Sequence, residues 1–242
     1  MTSRALLPNS AMKGVRLRSV AGVAVAVLGT WGLLALALAL GQQASQDLRL
    51  RFAYQALALL IAGLVVGGVV LLKGGRPSFL RWGRLSAVAR PVKVLDIKPT
   101  DSWRKIGITF AVVISAVTAG YLFLTYGSQL GGIGWRSWLV ALAVAIPLSA
   151  TNALTEELIT RWAIVESLDG QWARYAPWVA ALVFGSVHWF GIPGGPIGAL
   201  MAGFLGWLTA RSIQDIRGIG WAWIIHFCQD VLIFTVTLAL FV

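Results

Sequence analysis

The sequence predicts an all-α, polytopic membrane protein, a helical bundle of about eight transmembrane helices with seven as the alternative. Hydrophobic residues occupy 58% of the 242 positions and charged residues 12%, and the mean hydropathy is +0.79. Apolar stretches close to the roughly 20 residues that cross a bilayer recur along the chain. We therefore predict a single membrane domain over residues 1–242, with no sizeable soluble domain.

Three spans are clear from composition alone, at residues 20–40, 52–72 and 106–126. The apolar run of the first span exceeds the roughly 7–15 residues of a signal-peptide core. We therefore predict a retained anchor, although Ala37-Leu38-Ala39 leaves cleavage open. Residues 1–136 thus resemble generic N-terminal membrane helices, and the polar groups inside apolar segments concentrate in residues 137–242.

The net charge of +11 is concentrated in two regions. One precedes the first span and includes Arg4, Lys13, Arg16 and Arg18, and the other is the connector at residues 73–105. The positive-inside rule predicts that both regions, and so the N-terminus, are cytoplasmic. This distribution favours membrane topology over nucleic-acid binding.

The connector also mixes apolar residues with its cations, namely Phe79, Leu80, Trp82 and Leu85. Such a mixture suits anionic lipid headgroups as partners. A plain topogenic loop is the alternative interpretation and is the favoured one. The single cysteine, Cys228, excludes an intrachain disulfide and a multi-cysteine zinc cluster.

Residues 137–168 decide the architecture. Pro147 predicts a bend or break after a helix at 137–150, and residues 153–168 have helical spacing, with Glu157 and Arg161 four residues apart where they can pair. If 153–168 crosses separately and turns near 169–171, Glu156 and His188 share one depth. If 137–168 were one long crossing, we expect these two residues near opposite faces, without joint chemistry. The separate crossing, which gives eight helices, is preferred because it also keeps both basic regions cytoplasmic.

The C-terminal part contains a predicted turn at 191–196, a helix at 197–211 and a last span at 221–241. Gly195, Ala199 and Gly203 form a stripe of small residues that allows close helix packing. On the last span His226 and Asp230 are four residues apart, so they share a face.

Hairpin counting places Glu156, His188, His226 and Asp230 near one level, so we expect them to converge on one inward-facing cavity. Two imidazoles and carboxylates in a sheltered cavity suit water activation with a glutamate as general base. They also suit a divalent metal such as zinc, held by these four residues.

Several of these residues have a structural interpretation as well. A single membrane histidine is as often a hydrogen-bonded packing residue as a functional one. Phe184 is expected to pack, Asn152 to cap a helix, and Cys228 to be structural. Four ionisable groups at matching depths are harder to explain by packing alone.

Three ordered motifs resemble those of the CPBP intramembrane proteases, which include CAAX prenyl endopeptidases and bacteriocin-processing or immunity (Abi-like) proteins. They are Glu156-Glu157-x-x-x-Arg161, Phe184-x-x-x-His188 and His226-x-x-x-Asp230. The resemblance covers residues 137–242, which would be the catalytic core.

The resemblance implies an endopeptidase that cleaves a membrane-embedded or lipidated peptide near the cytoplasmic leaflet. Glu156, helped by His188, would activate water, while His226 and Asp230 would orient the scissile carbonyl or stabilise its oxyanion. Glu157 and Arg161 would form a buried supporting ion pair. The expected location is a bacterial plasma membrane.

The chain departs from the family pattern at three positions. Asp230 stands where prenyl endopeptidases usually have an asparagine that donates to the oxyanion, and Thr160 and Trp162 stand where an aromatic residue and a glycine are common. Two alternatives to the protease therefore stay open. One is a catalytically silent membrane scaffold or bacteriocin-immunity protein; the other, ranked lower, is a proton-coupled transporter using Glu156, His188 and Asp230 as a relay.

Overall fold

The protein is all-helical in the computed structural model, which describes residues 9–191 and 193–240, with side chains described for 14–40, 47–191 and 193–240. Arg4, Ile192 and Phe241, which fall in predicted features, lie outside the described residues, as does the side chain of Lys13. The all-α membrane bundle is confirmed.

The first two helices form an antiparallel hairpin. Helix α1 (Asn9–Gln46) is followed directly by α2 (Leu48–Lys73). Asp47 caps α2, because its side chain accepts a hydrogen bond from the backbone N–H of Arg49 at 2.8 Å. Gly74 ends α2 with a φ of +69°, a conformation that glycine adopts without strain.

Helix α3 (Trp103–Leu130) begins after the connector, and a long helical rod follows it. The rod consists of α4 (Trp135–Glu157), a π-helical turn (Leu158–Trp162) and α5 (Ala163–Ser167). Helix α6 (Ala176–Val187) and α7 (Gly195–Ile216) pair as a second hairpin, and α8 (Gly220–Ala239) packs against α4 and α3.

The predicted break between residues 150 and 153 is wrong. Pro147 lies inside α4, and the rod runs unbroken for 33 residues from Trp135 to Ser167. A break at this depth would expose backbone groups that lipid cannot hydrogen-bond, so a helix that tolerates one proline is the better solution. Residues 153–168 therefore do not cross separately.

The expectation that one long crossing would separate Glu156 from His188 is also wrong. A rod of 33 residues is about 50 Å long, well beyond the roughly 30 Å of bilayer hydrocarbon. Glu156 therefore lies about 16 Å from the Ser167 end, inside the bundle. His188 lies a similar distance, about 18 Å, along α6 from Ala176. The two residues share a level because the rod is long.

Five helices among the described residues are long and apolar enough to cross a membrane: α1, α2, α3, the α4–α5 rod and α8. Helices α6 and α7 fall outside that set, so the predicted number of eight spans is not confirmed. The two pack closely through small residues. A Cβ at Gly185 would lie 2.7 Å from the carbonyl oxygen of Ala199, so only glycine fits there.

The connector between α2 and α3 is folded onto the turn between α7 and α8. The backbone N–H groups of Ile219 and Gly220 donate to the carbonyls of Arg81 and Trp82 at 2.9 and 3.0 Å, and Arg84 donates back to Ile216 at 2.8 Å. The interpretation as a plain topogenic loop is therefore incomplete, because the connector is an ordered part of the bundle.

Two carboxylates fix the connector. Glu166 pairs with Lys73 and accepts hydrogen bonds from the backbone N–H groups of Ser78 and Phe79 at 2.9 and 3.0 Å. Asp215 accepts from the indole Nε1 of Trp103 at 2.9 Å and from the backbone of Arg90 at 3.1 Å. The start of α8, and with it His226 about 9 Å further along, is held by this packing.

Candidate active site

Glu157 links the α4–α5 rod to α8. Its side chain is fully buried, and its Oε1 lies 3.2 Å from Nη2 of Arg161 and 2.9 Å from Nδ1 of His226. A carboxylate at this distance accepts a hydrogen from Nδ1, which fixes the orientation of the imidazole and leaves Nε2 to face the site.

Nε2 of His226 faces two further carboxylates. It lies 3.7 Å from Oε2 of Glu156 and 3.6 Å from Oδ1 of Asp230, beyond direct hydrogen-bond distance. Oε2 of Glu156 is buried and has no hydrogen-bond partner within the described part of the chain. Buried carboxylate oxygens are normally satisfied, so this oxygen keeps the capacity to accept a further hydrogen bond.

Asn152 joins the carboxylates of Glu156 and Asp230. Its Nδ2 donates to Oε1 of Glu156 at 3.1 Å and to Oδ2 of Asp230 at 3.0 Å. The expectation that Asn152 caps a helix is wrong, because α4 begins at Trp135 and Asn152 lies well inside it. A mid-helix amide one turn before Glu156 points into the bundle toward that carboxylate.

Helix α2 also contributes to the site, which the motifs did not predict. Nε2 of Gln55 lies 3.5 Å from Oδ1 of Asn152, and the hydroxyl of Thr151 donates to Oε1 of Gln55 at 3.1 Å. Gln55 is 7% exposed. The signal that the sequence offered was a glutamine inside the apolar span at 52–72.

His188 caps the end of α6. Its Nδ1 lies 2.9 Å from the carbonyl oxygen of Phe184, and its ring centroid lies 4.1 Å from that of Phe184. His188 lines a cavity together with Glu156. Its Nε2 is therefore the nitrogen available to the site.

Phe184 packs, as predicted, but between functional groups. The guanidinium carbon of Arg161 lies 3.4 Å from the centroid of its ring, a cation–π contact, and the ring of His226 lies 6.0 Å away, edge to face. Phe184 thus holds the positions of three candidate site residues.

Arg161 is fully buried and has polar partners on two helices. Besides Glu157, its Nη1 donates to the hydroxyl of Thr160 at 2.7 Å, and its Nε donates to the hydroxyl of Thr209 on α7 at 3.3 Å. Thr160, a departure from the family pattern, therefore serves as a partner of the arginine. Trp162, the other departure in this motif, is buried in the core.

The structure thus brings Glu156, Glu157 and Asp230 together around His226. Arg161 joins them through Glu157, and His188 lines a cavity with Glu156. Cys228 is a free, partly buried cysteine. The donors do not fit the zinc site considered from the sequence: among the residues the structure describes, no group of three His, Cys, Asp or Glu side chains is arranged to hold a metal ion.

The fold and the site define an integral membrane protein with a polar centre sheltered by its helices. Residues 136–232 match the family model of type II CAAX prenyl endopeptidase Rce1-like proteins. These residues contain all three motifs, so the match confirms their resemblance to the intramembrane CAAX proteases. No curated protein and no solved structure matches the chain.

Proposed function

We propose that the protein is an intramembrane endopeptidase that hydrolyses a peptide bond of a membrane-embedded or lipidated peptide, using water activated by Glu156. The observation that carries the proposal is the unpartnered, buried Oε2 of Glu156, facing Nε2 of His226 across 3.7 Å. A general base needs a free lone pair within reach of the proton that it takes.

Asn152 prepares the base. Because its amide donates to Oε1 of Glu156, the carboxylate is held in one orientation with Oε2 directed at the reactants. Water bound between Oε2 and His188 gives its proton to Glu156, and its oxygen forms the bond to the carbonyl carbon. No acyl-enzyme is formed, because water is the nucleophile.

His226 stabilises the charge that develops on the carbonyl oxygen. Nδ1 donates to Glu157, and a proton on Nε2 is then directed at the developing oxyanion. Asp230 as a carboxylate accepts hydrogen bonds only, so it orients His226 and Asn152 instead of donating to the oxyanion.

Collapse of the tetrahedral intermediate breaks the carbon–nitrogen bond. The proton held by Glu156 passes to the leaving amine, and the other half of the peptide leaves as a carboxylic acid, which gives up its remaining proton to solvent. Glu157 and Arg161 take no proton in this scheme. As a buried ion pair they hold the rod and His226 in register.

The connector suits anionic lipid headgroups as partners. Leu80 and Trp82 are 40% and 49% exposed, and Val94 is 94% exposed, next to lysines and arginines of the same segment. Phe79 and Leu85, which the sequence also suggested for this contact, pack into the core instead. Apolar and cationic side chains together favour the surface of an anionic membrane. The proposal includes the orientation of the protein in the membrane: the cations of the N-terminus and of the connector face the cytoplasm.

A second function, a catalytically silent scaffold, is favoured by Asp230 in place of the family's usual asparagine. The protease and the scaffold can be distinguished with purified protein in liposomes, which is given either a farnesylated CAAX peptide or an unmodified membrane-spanning peptide. We expect cleavage of one of them at a single bond. Binding of either peptide without cleavage would favour the scaffold and contradict the protease.

A further inference from the structure

Two cavities meet at the end of α6, where Phe184 and His188 line both. The first has a volume of about 280 Å³ and is bordered by α3, α7 and α8. The second has a volume of about 170 Å³ and is bordered by α1, α2, α4 and α6. His226 and Asp230 line only the first cavity, and Glu156 lines only the second.

The linings of the two cavities differ in chemistry. In the second cavity, five of twelve lining residues carry hydroxyl, carboxyl or imidazole groups: Thr30, Tyr54, Glu156, Thr160 and His188. In the first, four of sixteen lining residues are polar, namely His188, His226, Gln229 and Asp230, and the faces of α3 and α7 are apolar, with Phe110, Val113, Ile114, Val117, Met201 and Leu205. Water occupies cavities in which polar groups can hydrogen-bond it, and apolar cavities stay dry. The second cavity therefore suits several water molecules, and the first suits an apolar chain.

The two cavities also lie toward different surroundings. Val113 and Val117 line the first cavity and are 49% and 52% exposed, so this cavity reaches the lipid-facing side of α3. The second cavity runs from Glu156 to Ala37 on α1 and Tyr54 on α2, and it reaches the surface at Phe190, which is 57% exposed.

We infer that the two reactants of the hydrolysis reach the site from opposite sides, the peptide through the α3–α7–α8 cavity and water through the α1–α2–α4–α6 cavity. This inference rests on the proposed function. Glu156 takes the proton of a water molecule in its own cavity, and the oxygen attacks the carbonyl carbon held beside His226. His188, shared by both cavities, stands where the new carbon–oxygen bond forms.

Filling each cavity separately tests the inference by steady-state kinetics with a fluorogenic farnesylated CAAX peptide. Ala37→Trp fills the water cavity and is expected to lower kcat at least about tenfold with KM unchanged. Val113→Trp fills the peptide cavity and is expected to raise KM. Ala35→Trp and Val112→Trp, on exposed faces of the same helices, are the matched controls and should behave like the wild type. An unchanged kcat in Ala37→Trp would overturn the water route.

Thiol labelling tests the same inference without turnover. In a Cys228→Ser background in liposomes, Ala37→Cys should react with a water-soluble methanethiosulfonate, while lipid-facing Ala35→Cys should not. The farnesylated peptide should protect Val113→Cys from a lipid-soluble maleimide and leave the labelling of Ala37→Cys unchanged. Equal reactivity at residues 35 and 37, or protection of both cavities by the peptide, would overturn separate entry. Failure of the proposed function is a distinct result, because wild-type protein would then show no cleavage at all.

Discussion

Asn152 on α4 donates its side-chain amide to Asp230 on α8, with Nδ2 3.0 Å from Oδ2. The same amide nitrogen lies 3.1 Å from Oε1 of Glu156. The resemblance implies an amide at the position of Asp230, and in this chain the residue at that position instead accepts a hydrogen bond from the amide of Asn152 on the neighbouring helix.

Exchanging the two side chains tests this relationship. Asn152→Asp places two carboxylates together and Asp230→Asn places two amides together, so each single variant should lose at least about tenfold in kcat. The double variant restores one donor and one acceptor between residues 152 and 230 but leaves Glu156 without its amide donor, so it is expected to recover only part of that loss. Coupling between contacting residues is typically about 0.5–3 kcal/mol, which a double-mutant cycle on kcat would measure. A double variant no better than the poorer single one would show that the pair does not act as a unit.

The buried ion pair should behave differently when one member or both are removed. Arg161→Met leaves Glu157 buried beside His226 without its cation and should cost about 3–5 kcal/mol of stability. Adding Glu157→Gln should recover part of that loss, because no uncompensated charge remains. Unfolding in mixed micelles measures both variants. Arg136→Met, an exposed arginine, is the control, and a loss there equal to that of Arg161→Met would contradict the assigned role.

The connector should stabilise α8 through Asp215. Asp215→Asn weakens hydrogen bonds from Trp103 and from Arg90, and it should destabilise the protein by about 1–3 kcal/mol. Hydrogen exchange should rise in residues 81–90 and at the start of α8, since these backbones bond each other. Asp96→Asn, in an exposed turn of the same connector, should leave exchange at the start of α8 unchanged. If hydrogen exchange at the start of α8 were unaltered in Asp215→Asn, the connector would not stabilise α8 through this residue.

Turnover should survive chelation, because the donor groups of the described residues are not arranged as a metal site. Incubation with EDTA and with 1,10-phenanthroline, followed by removal of the chelator, is expected to leave kcat within about twofold of the untreated enzyme. Elemental analysis of the purified protein provides the control for residual metal. If chelation abolished turnover and stoichiometric zinc restored it, the prediction of a metal-independent hydrolysis would be contradicted.

The positions of the motif residues could be predicted because helical spacing is a local property. His226 and Asp230 share a face from their four-residue separation alone, and the pairing of Glu157 with Arg161 follows in the same way. The sequence also predicted that Glu156 and His188 lie at the same depth in the bundle, although that prediction assumed that the rod divides near Pro147.

The roles of Asn152, Gln55 and Thr209 could not be predicted, because each depends on which helices become neighbours. Asn152 looks like a cap only when a helix is assumed to begin after it, and its contact with Asp230 spans 78 positions of sequence. The connector was misjudged for the same reason. Its backbone hydrogen bonds reach the turn between α7 and α8, and composition does not encode such long-range partners.

The most direct test of the account is the turnover of Glu156→Gln. Glutamine keeps the shape of the side chain but cannot take a proton from water, so kcat should fall at least about 100-fold while the affinity for the peptide and the unfolding transition stay close to those of the wild type. Asp96→Asn, which removes an exposed carboxylate, should retain full turnover. Wild-type turnover by a correctly folded Glu156→Gln variant would contradict the assignment of Glu156 as the base.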